Sequence, residues 1–173
     1  MSQGWVVFSH GKDSEPWGIK IRTLAETARS EGYGVESVDY RGIDSPEART
    51  AKLIDTCKSL RGDLVLVGSS LGGYVSLSAA PALHACGVFL MAPAITMPGL
   101  APLRTGGCDC PVTIVHGLQD EVVPVDHSIA YARQYEVILH LLHDDHRLHR
   151  SLPFIRTLFE YFLVQLDMSR VWS

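Results

Sequence analysis

The chain has 173 residues, of which 46% are hydrophobic and 20% charged, with a formal net charge of −4. That length and composition fit one globular domain over 1–173, with room for a core of its own, and exclude a disordered chain. The negative balance and the scattered Lys and Arg offer no basic face to nucleic acid, and no apolar run reaches the length needed to span a bilayer. No basic stretch precedes an apolar signal core at the N-terminus, so a cytoplasmic location is the expectation.

Short apolar runs alternate with helical patterns. Trp5 to Ser9 is predicted as the first strand and Trp17 to Glu31 as a helix stopped by Gly32. Val35 to Tyr40 reads as the second strand. Ser45-Pro46-Glu47 opens a helix, with a capping hydroxyl, a proline at the first helical position and an acid near the positive helix end. That helix ends near Leu60 and Gly62. Leu64 to Val67 is the third predicted strand, followed by a turn at Ser70 and a buried helix through Ala80. Gly87 to Met91, Val112 to Val115 and Glu136 to Leu142 are the fourth, fifth and sixth strands. Helices are predicted at Val125 to Gln134 and Leu152 to Leu166. The stretch Ala92 to Gly107 holds three prolines and three glycines and reads as a loop, with length enough to cover a site.

Six short strands alternating with helices predict a doubly wound, mostly parallel α/β sheet in a three-layer sandwich, with sheet order 2-1-3-4-5-6. In such a sheet ligands bind at the carboxyl ends of the strands, where the order reverses.

The four cysteines are Cys57, Cys86, Cys108 and Cys110. The first two fall in apolar patterns and read as reduced core residues. Cys108-Asp109-Cys110 has one intervening residue, unlike common zinc or redox spacings, and is also expected to stay reduced.

Gly68-Ser69-Ser70-Leu71-Gly72 fits Gly-x-Ser-x-Gly, at the end of a strand and the start of a helix. A sharp strand-to-helix turn of this kind exposes its middle serine above the sheet edge, and glycines leave room for it. Chance produces the pattern in about one chain in ten of this composition, so partners matter. A serine nucleophile needs a base to take its proton and a carboxylate to orient the base. Asp120 lies in the turn after the fifth strand, with Glu121 as a competing carboxylate. His146 lies after the sixth, with His143 as a rival that follows the strand too closely to reach Ser70. Ser70, Asp120 and His146 follow in the chain order of serine hydrolases built on such a sheet. His140, His143, His146 and His149 recur every third residue, but they would diverge between a strand, a loop and a helix start, so no metal site is expected. His10 reads as structural, and His84, His116 and His127 need no chemical role.

These residues resemble the α/β-hydrolase family over nearly the whole chain. The likeness rests on Phe8-Ser9-His10-Gly11, the Ser70 motif, His116-Gly117 with Asp120 and Val123-Pro124, and Asp145-His146. The chain is similar to the small dienelactone hydrolases and carboxylesterases, but carries serine where the dienelactone hydrolases carry cysteine. It lacks the first two strands and the cap domain of larger relatives. The resemblance favours Asp120 over Glu121 and implies an oxyanion hole made of the backbone N–H groups of Lys12 and Leu71. It implies hydrolysis of a small acyl ester or thioester, with no cofactor. The rival reading is a non-catalytic binding or scaffold protein on the same fold, whose signature would be a lost triad residue; all three are present. A nucleotide-binding domain has no glycine-rich phosphate motif here to support it.

Overall fold

The computed structural model describes residues 4–103 and 109–171. In chain order the elements are β1 (Gly4–Ser9), α1 (Ile19–Ser30), β2 (Gly34–Val38), α2 (Pro46–Cys57), β3 (Asp63–Ser69), α3 (Leu71–Leu83), β4 (Gly87–Met91), β5 (Val112–Gly117), α4 (Val125–Tyr135), β6 (Ile138–Leu142) and α5 (Leu152–Val171). The six strands make one sheet in the order β2-β1-β3-β4-β5-β6, every pair parallel. This is the order expected from the alternation of strand and helix patterns.

Side chains alternate across a strand, so each central strand feeds two cores. Val6 and Phe8 face α1 and α5, where they join Leu24, Ala28, Phe89, Phe159 and Leu163. Val7 points the other way, into a second core with Leu53 of α2, Val75 and Leu77 of α3, and Tyr131 of α4. Phe89 is fully buried and packs edge-on against Phe159 at 5.1 Å between ring centroids. Both faces being covered explains why β1, β3 and β4 read as continuous apolar runs. The edge strand β6 instead leaves Ile138 and Leu141 exposed.

Element ends follow local chemistry. Ser45 Oγ accepts the Ala48 N–H at 3.1 Å and Pro46 opens α2, as the sequence predicts. β3 runs two residues further than its apolar run, because Gly68 pairs with Ser9 and Leu90, and Ser69 pairs with Met91; pairing there overrides weak strand propensity. β6 starts at Ile138 rather than Glu136, since Glu136 takes a left-handed conformation to end α4. Cys57 and Cys86 are reduced, and Cys86 Sγ donates to Leu64 O at 3.2 Å. Cys110 is disulfide-bonded, which corrects the expectation of a reduced thiol: chain spacing alone does not report how closely two sulfurs approach. Cys108 and the stretch 104–107 of the expected loop lie outside the described residues. Among the described residues no helix is long and apolar enough to cross a membrane.

Candidate active site

Four loops meet at the carboxyl edge of the sheet. β1 runs into His10-Gly11-Lys12, β3 into Ser70, β5 into the turn holding Asp120, and β6 into the loop holding His146. β1 is also where the chain order reverses, with β2 on one side and β3 on the other.

Ser70 stands between β3 and α3 with φ 54° and ψ −122°, a conformation that costs a non-glycine residue about 1–3 kcal/mol. The surroundings enforce it. Ser70 N–H donates to Met91 O at 3.0 Å, and Ser70 O accepts from Gly73 and Ala94 at 2.9 and 3.0 Å. Gly68 and Gly72 are required by close approach. A Cβ on Gly68 would fall 2.6 Å from Gly73 Cα, and one on Gly72 would collide with the Ser9 carbonyl oxygen. The strain is therefore held by backbone packing, and it leaves Ser70 half-buried at the edge.

Asp120 and His146 come from separate loops that are tied together. Leu118 N–H donates to Leu142 O at 2.8 Å and Gln119 N–H to Asp144 O at 3.0 Å. Gly117 permits this, since a Cβ there would strike the carbonyls of Asp144 and Asp145. His146 Nδ1 then donates to Asp120 Oδ2 at 2.7 Å. The other carboxylate oxygen, Oδ1, accepts the N–H groups of Val122 and Val123, each at 2.8 Å. Burial pushes the Asp120 pKa up, but these N–H groups and His146 outweigh it, and the carboxyl stays below its ordinary range. Its side chain is fully buried, while that of His146 is 20% exposed.

A third partner was not anticipated. His116, at the end of β5, is fully buried, and its Nε2 lies 3.0 Å from Asp120 Oδ2 and 3.0 Å from Val123 O. Both are acceptors, so Nε2 carries the proton and Nδ1 accepts from Ser128 Oγ at 2.7 Å. Burial lowers the His116 pKa more than Val123 O and Asp120 raise it, which keeps the ring neutral. The available signal was a histidine closing an otherwise apolar strand, four residues before the candidate carboxylate.

The rival residues fall elsewhere. His143 is exposed and pairs with Gln119 Nε2 at 2.9 Å. Glu121 is exposed, whereas Asp120 is the carboxylate turned inward. His10 is buried with both nitrogens engaged: Nε2 accepts the Tyr40 N–H at 2.9 Å, so Nδ1 donates to Gly11 O at 2.8 Å. Burial keeps it neutral as well.

The loop after β1 packs against Ser70, and a Cβ on Gly11 would lie 3.3 Å from Ser70 Cβ. Among the described residues no acceptor takes the N–H of Lys12 or of Leu71, which leaves both donors available to a ligand oxygen. Lys20, in the first turn of α1, is half-buried. Burial lowers its pKa to about 8, against the pull of the carboxylates of Asp120, Asp145 and Asp144. A cavity of about 330 Å³ lies between the segment from Ile95 to Leu103 and α4. Tyr74 Oη secures that segment by donating to Ala101 O at 3.1 Å. Among the described residues no group of three or more His, Cys, Asp and Glu side chains could hold a metal ion.

Residues 6–108, more than half of the chain, match the model of the alpha/beta hydrolase family. The chain belongs to that family. No curated protein sequence matches it. Among solved structures it is similar to a protein of the alpha/beta hydrolase superfamily from Xanthomonas campestris pv. campestris. The two are 29% identical over 94% of this chain and 99% of that one, with a TM-score of 0.87. Est1E from Butyrivibrio proteoclasticus, solved with ferulic acid bound, is 19% identical over 96% of this chain and 90% of its own, with a TM-score of 0.81. An alpha/beta serine hydrolase without a lid, also from Xanthomonas campestris, is 19% identical over 95% and 83%, with a TM-score of 0.71. At these identities the last two likenesses are likenesses of fold.

Proposed function

We propose that this alpha/beta hydrolase is a serine esterase or thioesterase that works through an acyl-enzyme intermediate. The observation that carries the proposal is the 2.7 Å hydrogen bond from His146 Nδ1 to Asp120 Oδ2, on the sheet edge where Ser70 is held in its strained turn. That bond puts the His146 proton on Nδ1 and leaves Nε2 as a base.

In the acylation step His146 Nε2 takes the Ser70 hydroxyl proton as Oγ attacks the ester or thioester carbonyl. The carbonyl oxygen becomes an oxyanion that accepts the N–H groups of Lys12 and Leu71. Collapse breaks the bond to the leaving alkoxide or thiolate, which receives the proton from His146. Water then repeats the sequence: His146 removes its proton, hydroxide adds to the acyl carbonyl, and Ser70 Oγ leaves with that proton. Asp120 stays ionised throughout and stabilises the imidazolium. Loss of one oxyanion donor would slow turnover about 10²–10³-fold.

A fluorophosphonate probe tests the assignment. Wild type should be labelled at Ser70 and Ser70→Ala should not. A folded wild type that takes no label and leaves short p-nitrophenyl esters intact would sink the reading. With so little chain to cover the sheet edge, small acyl groups are favoured, so acetyl and butyryl esters should turn over faster than long-chain esters.

A further inference from the structure

Arg49 is a buried cation that pairs with no carboxylate among the described residues; Asp44 and Asp13 act on it only at longer range. The residue is 2% exposed, and among the described residues no ion pair reaches its guanidinium. Arginine is almost never fully buried unless paired, because stripping a cation of its water is costly. Here the compensation comes from backbone carbonyls. Nε donates to Ile43 O at 2.7 Å. Nη1 donates to Gly11 O at 3.3 Å and His10 O at 3.5 Å, and Nη2 to Lys12 O at 3.5 Å. The guanidinium also lies over the Tyr40 ring, 5.3 Å from its centroid. Three consecutive carbonyls of one loop thus converge on one side chain from α2.

The direction of those carbonyls has a consequence. In a trans peptide the C=O of one residue points opposite to the N–H of the next. Drawing Gly11 O onto Arg49, with His10 Nδ1 also donating to it at 2.8 Å, turns the Lys12 N–H away from the guanidinium. The same holds for the Gly11 N–H behind His10 O. Gly11 itself lies against Ser70, since a Cβ on it would fall 3.3 Å from Ser70 Cβ. A cation on the carbonyl side also polarises the Gly11–Lys12 peptide and strengthens its N–H as a donor.

We propose that Arg49 is a positioning residue for the oxyanion hole: it fixes the Gly11–Lys12 peptide with its N–H toward the substrate and lends its charge, through that peptide, to the tetrahedral intermediate. This rests on the serine-hydrolase reading above. It differs from a packing role, because any well-fitting apolar side chain would satisfy packing.

The test compares wild type with Arg49→Met and Arg49→Lys. Active sites are counted by fluorophosphonate titration, kcat and KM are measured on p-nitrophenyl butyrate, and the hemiketal oxyanion formed with an alkyl trifluoromethyl ketone is titrated by fluorine NMR. Arg49→Met should lower kcat per titrated site about 10²-fold, as for loss of an oxyanion donor, with KM within about threefold. The hemiketal pKa should rise by about one or more. Arg49→Lys should recover part of both, since it restores the charge without the planar fork. A folded Arg49→Met with kcat per site within about threefold of wild type, or an unmoved hemiketal pKa, overturns the proposal. Should Arg49→Met fail to fold, Arg49→Lys decides: full kcat and an unchanged hemiketal pKa overturn it. An unlabelled, inactive wild type brings down the serine-hydrolase reading itself, and the Arg49 role with it. A labelled wild type with indifferent Arg49 variants brings down only the latter.

Discussion

Asp120 Oδ2 accepts two imidazole N–H groups at once, from His146 at 2.7 Å and from His116 at 3.0 Å. With Oδ1 taken by Val122 and Val123, the carboxylate cannot rotate without breaking several bonds. His116 therefore orients the group that orients His146. We expect His116→Gln to reduce kcat about tenfold with little change in KM, because it loosens the carboxylate without removing it. Asp120→Asn should be far worse, at about 10⁴-fold in kcat: its amide N–H₂ would face donors from both histidines, and His146 would lose the preference for Nδ1–H. Steady-state kinetics on one short ester checks both. Equal losses for the two variants would show that His116 does more than hold the carboxylate.

The strain at Ser70 gives a second expectation. Ser70→Ala and Ser70→Gly both remove the hydroxyl and abolish the proposed activity, but only Gly accepts φ 54° and ψ −122° without penalty. Ser70→Gly should be the more stable of the two by about 1 kcal/mol, since release of strain outweighs the added freedom of the unfolded chain. Urea unfolding of the pair measures the difference, and a more stable Ala variant would mean that the turn is not strained.

Ser76 is fully buried in α3, and among the described residues its hydroxyl has no hydrogen-bond partner. Burying such a group costs about 1–3 kcal/mol. Ser76→Ala removes the unsatisfied oxygen and inserts the best helix former, so it should raise stability by about 1 kcal/mol. Thermal melts check this; a lower melting temperature would show that the hydroxyl has a partner after all.

Much of the frame was legible because it is written locally. Val6, Val7 and Phe8 announce a strand covered on both faces, Ser45-Pro46 announces a helix start, and the glycines at 68 and 72 announce the tight turn between β3 and α3. The order of Ser70, Asp120 and His146 could be read because each follows its own strand. Arg49, His116 and Lys20 could not be read this way. Arg49 sits in the helix that Ser45-Pro46 opens, yet it reaches carbonyls 37 to 39 positions away. His116 follows the fifth predicted strand with no chemical role to be read there, and only burial beside Asp120 gives it work. Lys20 opens a helix, and burial lowers its pKa against the pull of carboxylates 100 to 125 residues later. Periodicity reports which way a side chain points along its own element, and it carries no information about what another element brings to meet it.

The two buried neutral histidines set the acid side of stability. Burial holds both His10 and His116 below the ordinary histidine range near 6.5. Below about pH 6.5 the unfolded chain therefore binds protons that the folded chain refuses, and stability falls as the pH drops. Lys20 works in the same direction at higher pH. Its pKa is lowered to about 8, so between there and the unfolded value of about 10.4 the unfolded chain again binds more protons, and stability rises with pH across that window. Urea midpoints should climb from pH 5 to about 6.5 and again from pH 8 to 9, above which buried Cys57, its thiol pushed up to about 11, works against Lys20. His116→Gln should flatten the acid rise, and Lys20→Met should flatten the alkaline one. A wild-type midpoint that stays level between pH 5 and pH 7 would mean that the imidazoles titrate alike in the folded and unfolded chains, and the buried neutral pair would have to be abandoned.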